Sequence, residues 1–242
     1  RQAAEALTDL NTGSFGFIEA PDLSRWLPFL YQAGGQIIDE QGRVVLDGPP
    51  ARAALDFYVQ VYRDNFAGHP GESNSTWAGE VLGKGEGGMA VEGNWVAPYF
   101  AAEFPDFRYG VAPLPAGPAG RGTVAFTSCF GVAARSQNPD AAFALVAHLA
   151  SPEAQARWPE DGSAMPPQPG LMDSWKEAFP HLAAFADAVD EARVWQFPPG
   201  FEAFLHSFNR GMAELLAANI EAEDLLAEMQ GVAEDMLKMS KE

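Results

Sequence analysis

A single cysteine, Cys129, rules out an intrachain disulfide. Basic residues are scarce as well: 15 Lys and Arg face 33 Asp and Glu, a formal net charge of −18. A surface of that sign repels phosphate backbones and anionic lipid heads, which argues against nucleic acid and peripheral membrane partners. No apolar run reaches the roughly 18 residues of a membrane-spanning helix. The four histidines, His69, His148, His181 and His206, are far apart, and none has a metal-ligand spacing such as H-E-x-x-H. A G-x-S-x-G nucleophile elbow and a P-loop are both missing. Acidic residues are so numerous that no carboxylate pair stands out as the two flanking groups of a glycosidase. We therefore expect no catalytic residue, no metal and no cofactor. A secretory signal is absent too. Arg1 to Leu7 reads as a polar helix fragment that begins without a cap, which suggests further residues upstream.

What is present is the material for a core. Apolar residues make up 47% of the chain and aromatic residues 12%, and 242 residues suit two lobes better than one. The most informative stretch is Gly85-Glu86-Gly87-Gly88-Met89-Ala90-Val91-Glu92-Gly93-Asn94-Trp95. Gly87 and Gly88 are expected to take backbone angles closed to other residues, and Met89 to Val91 forms a short strand. Gly93-Asn94 ends that strand and delivers Trp95 at its carboxyl end, where open α/β sheets bind ligands. From pattern alone Trp95 reads equally as a core residue or as a flat platform for a sugar face.

Around this stretch the chain alternates short strands with amphipathic helices. Gly13 to Ile18 reads as a strand, Leu23 to Ala33 as a helix, and Gln36 to Ile38 with Arg43 to Leu46 as a hairpin. Helices follow over Ala51 to Asp64, Thr76 to Gly83 and Val96 to Glu103, then a strand at Tyr109 to Pro113. Pro115 to Gly122, rich in Pro and Gly, is expected to be the least structured part, an inter-lobe linker. Val124 to Ala134 is apolar and strand-rich, and helices are expected over Ala141 to Leu149 and Ser151 to Trp158. Beyond an irregular proline-rich stretch to Gly170 the chain is mainly helical, with a break at Phe197-Pro198-Pro199-Gly200.

Four segments, in order, resemble bacterial ABC-importer extracellular solute-binding proteins of the maltose-binding-like, sugar-binding class. The first is Trp26-Leu27-Pro28-Phe29-Leu30-Tyr31-Gln32-Ala33-Gly34-Gly35 with its hairpin. The second is the glycine-rich stretch, similar to that family's G-x-x-A-M-x-x-x-G-x-W element. The third runs from Cys129-Phe130-Gly131-Val132-Ala133-Ala134 through Ser136-Gln137-Asn138-Pro139 to Ser151-Pro152-Glu153-Ala154-Gln155. The fourth is the helical carboxyl terminus after Phe197-Pro198-Pro199. The resemblance implies an α/β, periplasmic-binding-protein-like class II fold of two lobes, with solute held in a cleft and released by hinge motion. It implies a carboxyl-terminal part of such a protein, most of one lobe at residues 1–110 and 160–242 and one segment of the amino-terminal lobe at 111–159. The main amino-terminal lobe would lie upstream. The expected function is the substrate-binding component of an ABC importer for a carbohydrate. It would catalyse nothing, act outside the cytoplasm and have membrane permease subunits as partners. A polyol phosphate, polyamine or peptide is the alternative solute, and a carbohydrate-active hydrolase the alternative class.

The resemblance also assigns candidate contacts. It places Trp95, with Asn94 beside it, as the sugar-stacking aromatic, and puts a ligand contact at Arg25 and Trp26, where Trp26 reads equally as core. Glu19, in the preceding turn, would accept hydroxyl hydrogen bonds as an ionised carboxylate, whereas Asp22 reads as a helix cap. Thr127 and Ser128 fall at the small hinge-side turn that faces ligand, with Cys129 a buried small residue. Trp195, Phe201, Glu202 and Phe204 surround the proline break, and one of these aromatics is expected to reach the solute. Phe126, Phe130, Val132, Phe143, Leu145 and Val146 would be left exposed without the upstream lobe, favouring self-association.

Overall fold

The structure, a computed structural model, describes residues 1–157 and 162–239. In chain order its elements are α1 (Gln2–Leu7), β1 (Phe17–Ile18), α2 (Leu23–Gln32), α3 (Pro49–Arg63), β2 (Ala67–Gly68), α4 (Ala78–Gly83) and α5 (Val96–Glu103). Then come β3 (Thr123–Ala125), α6 (Pro139–Leu149), α7 (Pro152–Arg157), α8 (Met172–Ala178), α9 (Ala183–Asp187), β4 (Ala192–Val194), α10 (Phe201–Leu216) and α11 (Ala222–Met239). Trp158, the expected end of α7, lies outside the described residues.

The residues form two compact units, each discontinuous in sequence. The larger comprises Arg1–Glu92, Leu114–Ala125 and Glu191–Glu242; the smaller comprises Gly93–Pro113 and Phe126–Asp190. These limits do not coincide with the lobe segments at 1–110, 111–159 and 160–242, which concern a complete two-lobe chain.

The larger unit is built on parallel pairing. Phe17 and Ile18 of β1 pair with Ala67 and Gly68 of β2, and on the other side Phe15 and Ile18 bridge to Gly87 and Ala90. Successive N–H groups alternate sides accordingly: Ile18 donates to Met89 O at 2.8 Å and Glu19 to Gly68 O at 2.9 Å. A second parallel pair joins β3 to β4. The main core sits among α2, α3, α10 and α11, whose apolar stripes bury Trp26, Leu30, Leu55, Tyr58, Phe204, Phe208, Leu225 and Met229. In the smaller unit Ala97, Trp175, Leu182 and Ala186 form a separate core with Tyr109, Met172 and Phe179 around it.

Helix ends explain part of the glycine usage. After α4, Gly85 takes φ +76° and donates to Leu82 O, while Glu86 donates to Val81 O at 3.1 Å, the paired bonds of a Schellman closure. The left-handed position is thus Gly85, not Gly87 or Gly88 as expected. Those two are glycine for want of room. A Cβ on Gly87 would lie 2.5 Å from Ile18 Cγ1, and one on Gly88 3.0 Å from Gly16 O.

Three further expectations need correction. Pro115 to Gly122 is not a loose linker: Ala119 donates to Gln32 O at 2.8 Å, and Gln32 Nε2 donates to Gly122 O at 3.0 Å. These bonds tie it to the carboxyl end of α2. The hairpin strands at 36–46 shorten to one antiparallel bridge, Ile38 with Val44, flanked by Asp39 N donating to Arg43 O at 2.8 Å and Val45 N to Ile37 O at 3.0 Å. Tyr109 to Pro113 forms no strand.

Candidate functional site

The sequence places the candidates after the short strand Met89 to Val91, in the turn after β1 and along the start of α2, at the turn of Thr127 and Ser128, and around the proline break at 197–200. The structure separates them into three surroundings.

The first belongs to the smaller unit. Trp95 caps the start of α5, half-buried, and its ring folds back over Gly93 so closely that a Cβ there would stand 2.1 Å from Trp95 Cζ3. This is the physical meaning of the glycine two residues before the tryptophan. Phe126 meets the Trp95 ring edge-on at 5.7 Å between centroids. The Asn94 Nδ2 donates to Gly162 O at 3.0 Å, which holds the turn. Thr127 and Ser128 follow Phe126 directly and are exposed, as is Cys129, which corrects its expected burial. An indole, an edge aromatic and an oriented amide are therefore brought together, and two exposed hydroxyl residues follow the aromatic in sequence. Such a set can stack on an apolar ring face and exchange hydrogen bonds with hydroxyls. Phe126 was missed as a site residue, although its position next to Thr127 was a usable signal.

The second lies at the end of β1 in the larger unit. Asp22 caps α2: its Oδ1 accepts from Ser24 N at 2.8 Å and from the Ser24 hydroxyl, and its Oδ2 accepts from Asn209 Nδ2 at 3.1 Å. Asn209 Oδ1 in turn accepts from Leu23 N at 2.8 Å, so α10 helps to close the start of α2. Arg25 Nη1 donates to Ser24 Oγ and its Nη2 to Glu92 Oε2, each at 2.8 Å. Glu92 and Asn209 were not anticipated, since nothing local in the sequence pairs them with α2.

Two candidates here are corrected. Glu19 is only 1% exposed, and burial pushes its carboxyl well above the usual carboxylate range. Closed off from solvent, it does not face a solute as its turn suggested. Trp26 is fully buried, its ring 5.0 Å from that of Phe208, and is a core residue with no face left for stacking.

The third surrounds the proline break. Phe201 is buried and lies face to face with Phe197 at 3.6 Å, while half-buried Trp195 stands edge-on to both at 5.2 and 5.6 Å. Phe201 and Phe204 are therefore core, and Trp195 retains an accessible surface. Glu202, one position on, is exposed. Among the described residues no group of three or more His, Cys, Asp or Glu side chains is placed to hold a metal, and no helix is long and apolar enough to cross a membrane.

Comparison with known proteins sets these sites in context. A binding protein of Brucella abortus (strain 2308) is 25% identical over 216 residues, which is 86% of this chain and 52% of that one. This chain thus spans about half the length of the curated relatives it matches. The ABC substrate-binding protein of Listeria monocytogenes solved with cycloalternan superposes with a TM-score of 0.84 at 16% identity, over 98% of this chain and 62% of its own. The GacH receptor of Streptomyces glaucescens, solved unliganded and with acarbose, gives 0.80 at 26% identity over the same shares. The fold is therefore α/β, of the periplasmic-binding-protein-like class II type. The family model for bacterial extracellular solute-binding proteins matches residues 2–156, well over half of the chain, and with the fold in agreement the chain belongs to that family.

Proposed function

We propose that this chain is part of the substrate-binding component of an ABC importer, and that its solute is a carbohydrate. The observation that carries the reading is the half-buried Trp95 ring seated over Gly93, with Phe126 at its edge; Asn94 precedes the ring in sequence, and the exposed Thr127 and Ser128 follow Phe126. A flat apolar face with neutral hydrogen-bonding residues adjoining it in sequence suits a pyranose, which presents both an apolar face and equatorial hydroxyls. Binding of cycloalternan by the Listeria protein and of acarbose by GacH supports the same class of solute. Trp195 is a second candidate platform. Arg25 remains a candidate contact through the 18% of its side chain that is exposed.

On this reading the protein binds and releases its solute without chemical change, works outside the cytoplasm and hands the solute to membrane permease subunits. Residues 1–110 and 160–242 belong to the carboxyl-terminal lobe of the complete fold and 111–159 to the amino-terminal one. The exposed apolar residues of 126–149 favour self-association when nothing covers them: α6 has no buried residue, and Phe143 is 67% exposed.

Thermal shift with a panel of mono- and oligosaccharides, run on the protein and on Trp95→Ala, tests the reading. A saccharide that raises the melting temperature of the parent and not of the variant is the expected result. If no saccharide raises it, the carbohydrate reading fails; an equal rise in both proteins removes the site from Trp95.

A further inference from the structure

We propose that Glu19 is a proton-operated control on the stability of the corner where β1 meets α2 and α3: a neutral acid in the folded protein whose ionisation loosens that corner. The geometry is specific. Both carboxyl oxygens are closed off from solvent, and neither has a hydrogen-bond partner among the described residues. The backbone on either side is tied down, with Glu19 N–H on Gly68 O at 2.9 Å and Ala20 O accepting from the Tyr58 hydroxyl at 2.9 Å and from Asp22 N at 2.7 Å. The side chain therefore cannot reach water by a small backbone shift.

The groups around it do not neutralise a charge. From α3 come Tyr58 and Tyr62, and burial raises both phenols, with Glu19 adding to each shift. From the start of α2 come Asp22, whose carboxyl accepts from Ser24 and Asn209, and Arg25, whose guanidinium is engaged by Glu92 and Ser24. Beyond Tyr62 stand Glu72, which accepts from the Tyr62 hydroxyl at 3.2 Å, and His69, whose Nδ1 accepts from Gly71 N at 3.0 Å. A carboxylate left alone in such a place carries a large desolvation penalty and keeps its proton instead.

Linkage fixes the sign. A glutamate in the unfolded chain releases its proton near pH 4.3, whereas folded Glu19 holds it to higher pH. Its contribution to stability is complete below the unfolded value and is lost as pH rises through the folded value.

The test compares urea unfolding of the protein and of Glu19→Gln from pH 4 to pH 8. The amide keeps the shape and abolishes the charge. The ratio of the two unfolding constants is expected to shift in favour of the variant by about tenfold per pH unit inside the window, then to level off. A ratio that does not change with pH overturns the proposal. Titration of the glutamate side-chain carboxyl carbons by ¹³C NMR on the unmodified protein covers the case where the variant does not fold. One glutamate is expected to titrate well above the rest, and uniform titration near the ordinary value overturns the proposal.

Discussion

Arg25 Nη2 donates to Glu92 Oε2 at 2.8 Å, with only 18% and 6% of the two side chains exposed. The pair joins the amino-terminal half of α2 to the residue that precedes Gly93. In sequence they stand 67 residues apart.

Because both charges are largely withdrawn from water, removing one partner strands the other. Arg25→Met is expected to lose about 3–5 kcal/mol in chemical denaturation, and adding Glu92→Gln to restore much of it. If the double variant is as unstable as the single one, Arg25 acts through packing alone.

The two tryptophans should behave oppositely. Trp26→Ala opens a cavity against Phe208 and is expected to cost about 3–5 kcal/mol. Trp95 is half-buried, so Trp95→Ala should cost clearly less in the same urea titration. Equal losses would place both rings in the core.

At the start of α2, Asp22→Ala removes the cap of Ser24 N and the acceptor of Asn209 Nδ2 together. A loss of about 1–2 kcal/mol is expected. Asn209→Ala should be non-additive with it, since the two share one network, and a double-variant cycle measures the coupling.

Gly16 is a steric requirement. A Cβ there would lie 1.8 Å from Ala4 O, inside the backbone of α1. Gly16→Ala is expected to displace α1, lowering hydrogen-exchange protection over residues 2–7 before any global unfolding. Unchanged protection would mean that α1 yields without cost.

Phe143 and Leu145 lie exposed on α6. Phe143→Asp with Leu145→Lys should therefore leave the melting temperature nearly unchanged while reducing any concentration-dependent mass increase in light scattering. A monomer at all concentrations in both proteins would remove self-association from the proposal.

Periodicity was a reliable guide where one face of a helix is buried. The stripe Ala54, Leu55, Tyr58 and Val61 placed α3, and the spacing of Leu23, Trp26, Leu27 and Leu30 placed α2 within a residue of its observed end. It was a poor guide where structure depends on distant partners. The Pro-Ala-Gly-Pro-Ala-Gly run looks like a linker because its composition carries no pattern, yet the Gln32 side chain and carbonyl hold it in place. The hairpin formed but shorter than its alternation suggested: Ile38 bridges Val44, with one backbone bond between Asp39 and Arg43 and one between Ile37 and Val45.

By itself the sequence determined the helical register, the turn that presents Trp95 and the order of family-like segments, because each depends on spacing over a few residues. Only the tertiary structure decided which candidates are reachable. Trp26 and Trp95 are the same chemistry in similar local patterns, and what separates them is Phe208, brought against Trp26 from α10. Glu19 and Glu92 are both acidic residues just past a parallel pairing, yet Glu92 meets Arg25 and Glu19 meets no hydrogen-bond partner among the described residues. Burial and charge pairing are properties of neighbours in space, and those neighbours are set by packing between elements far apart in the chain.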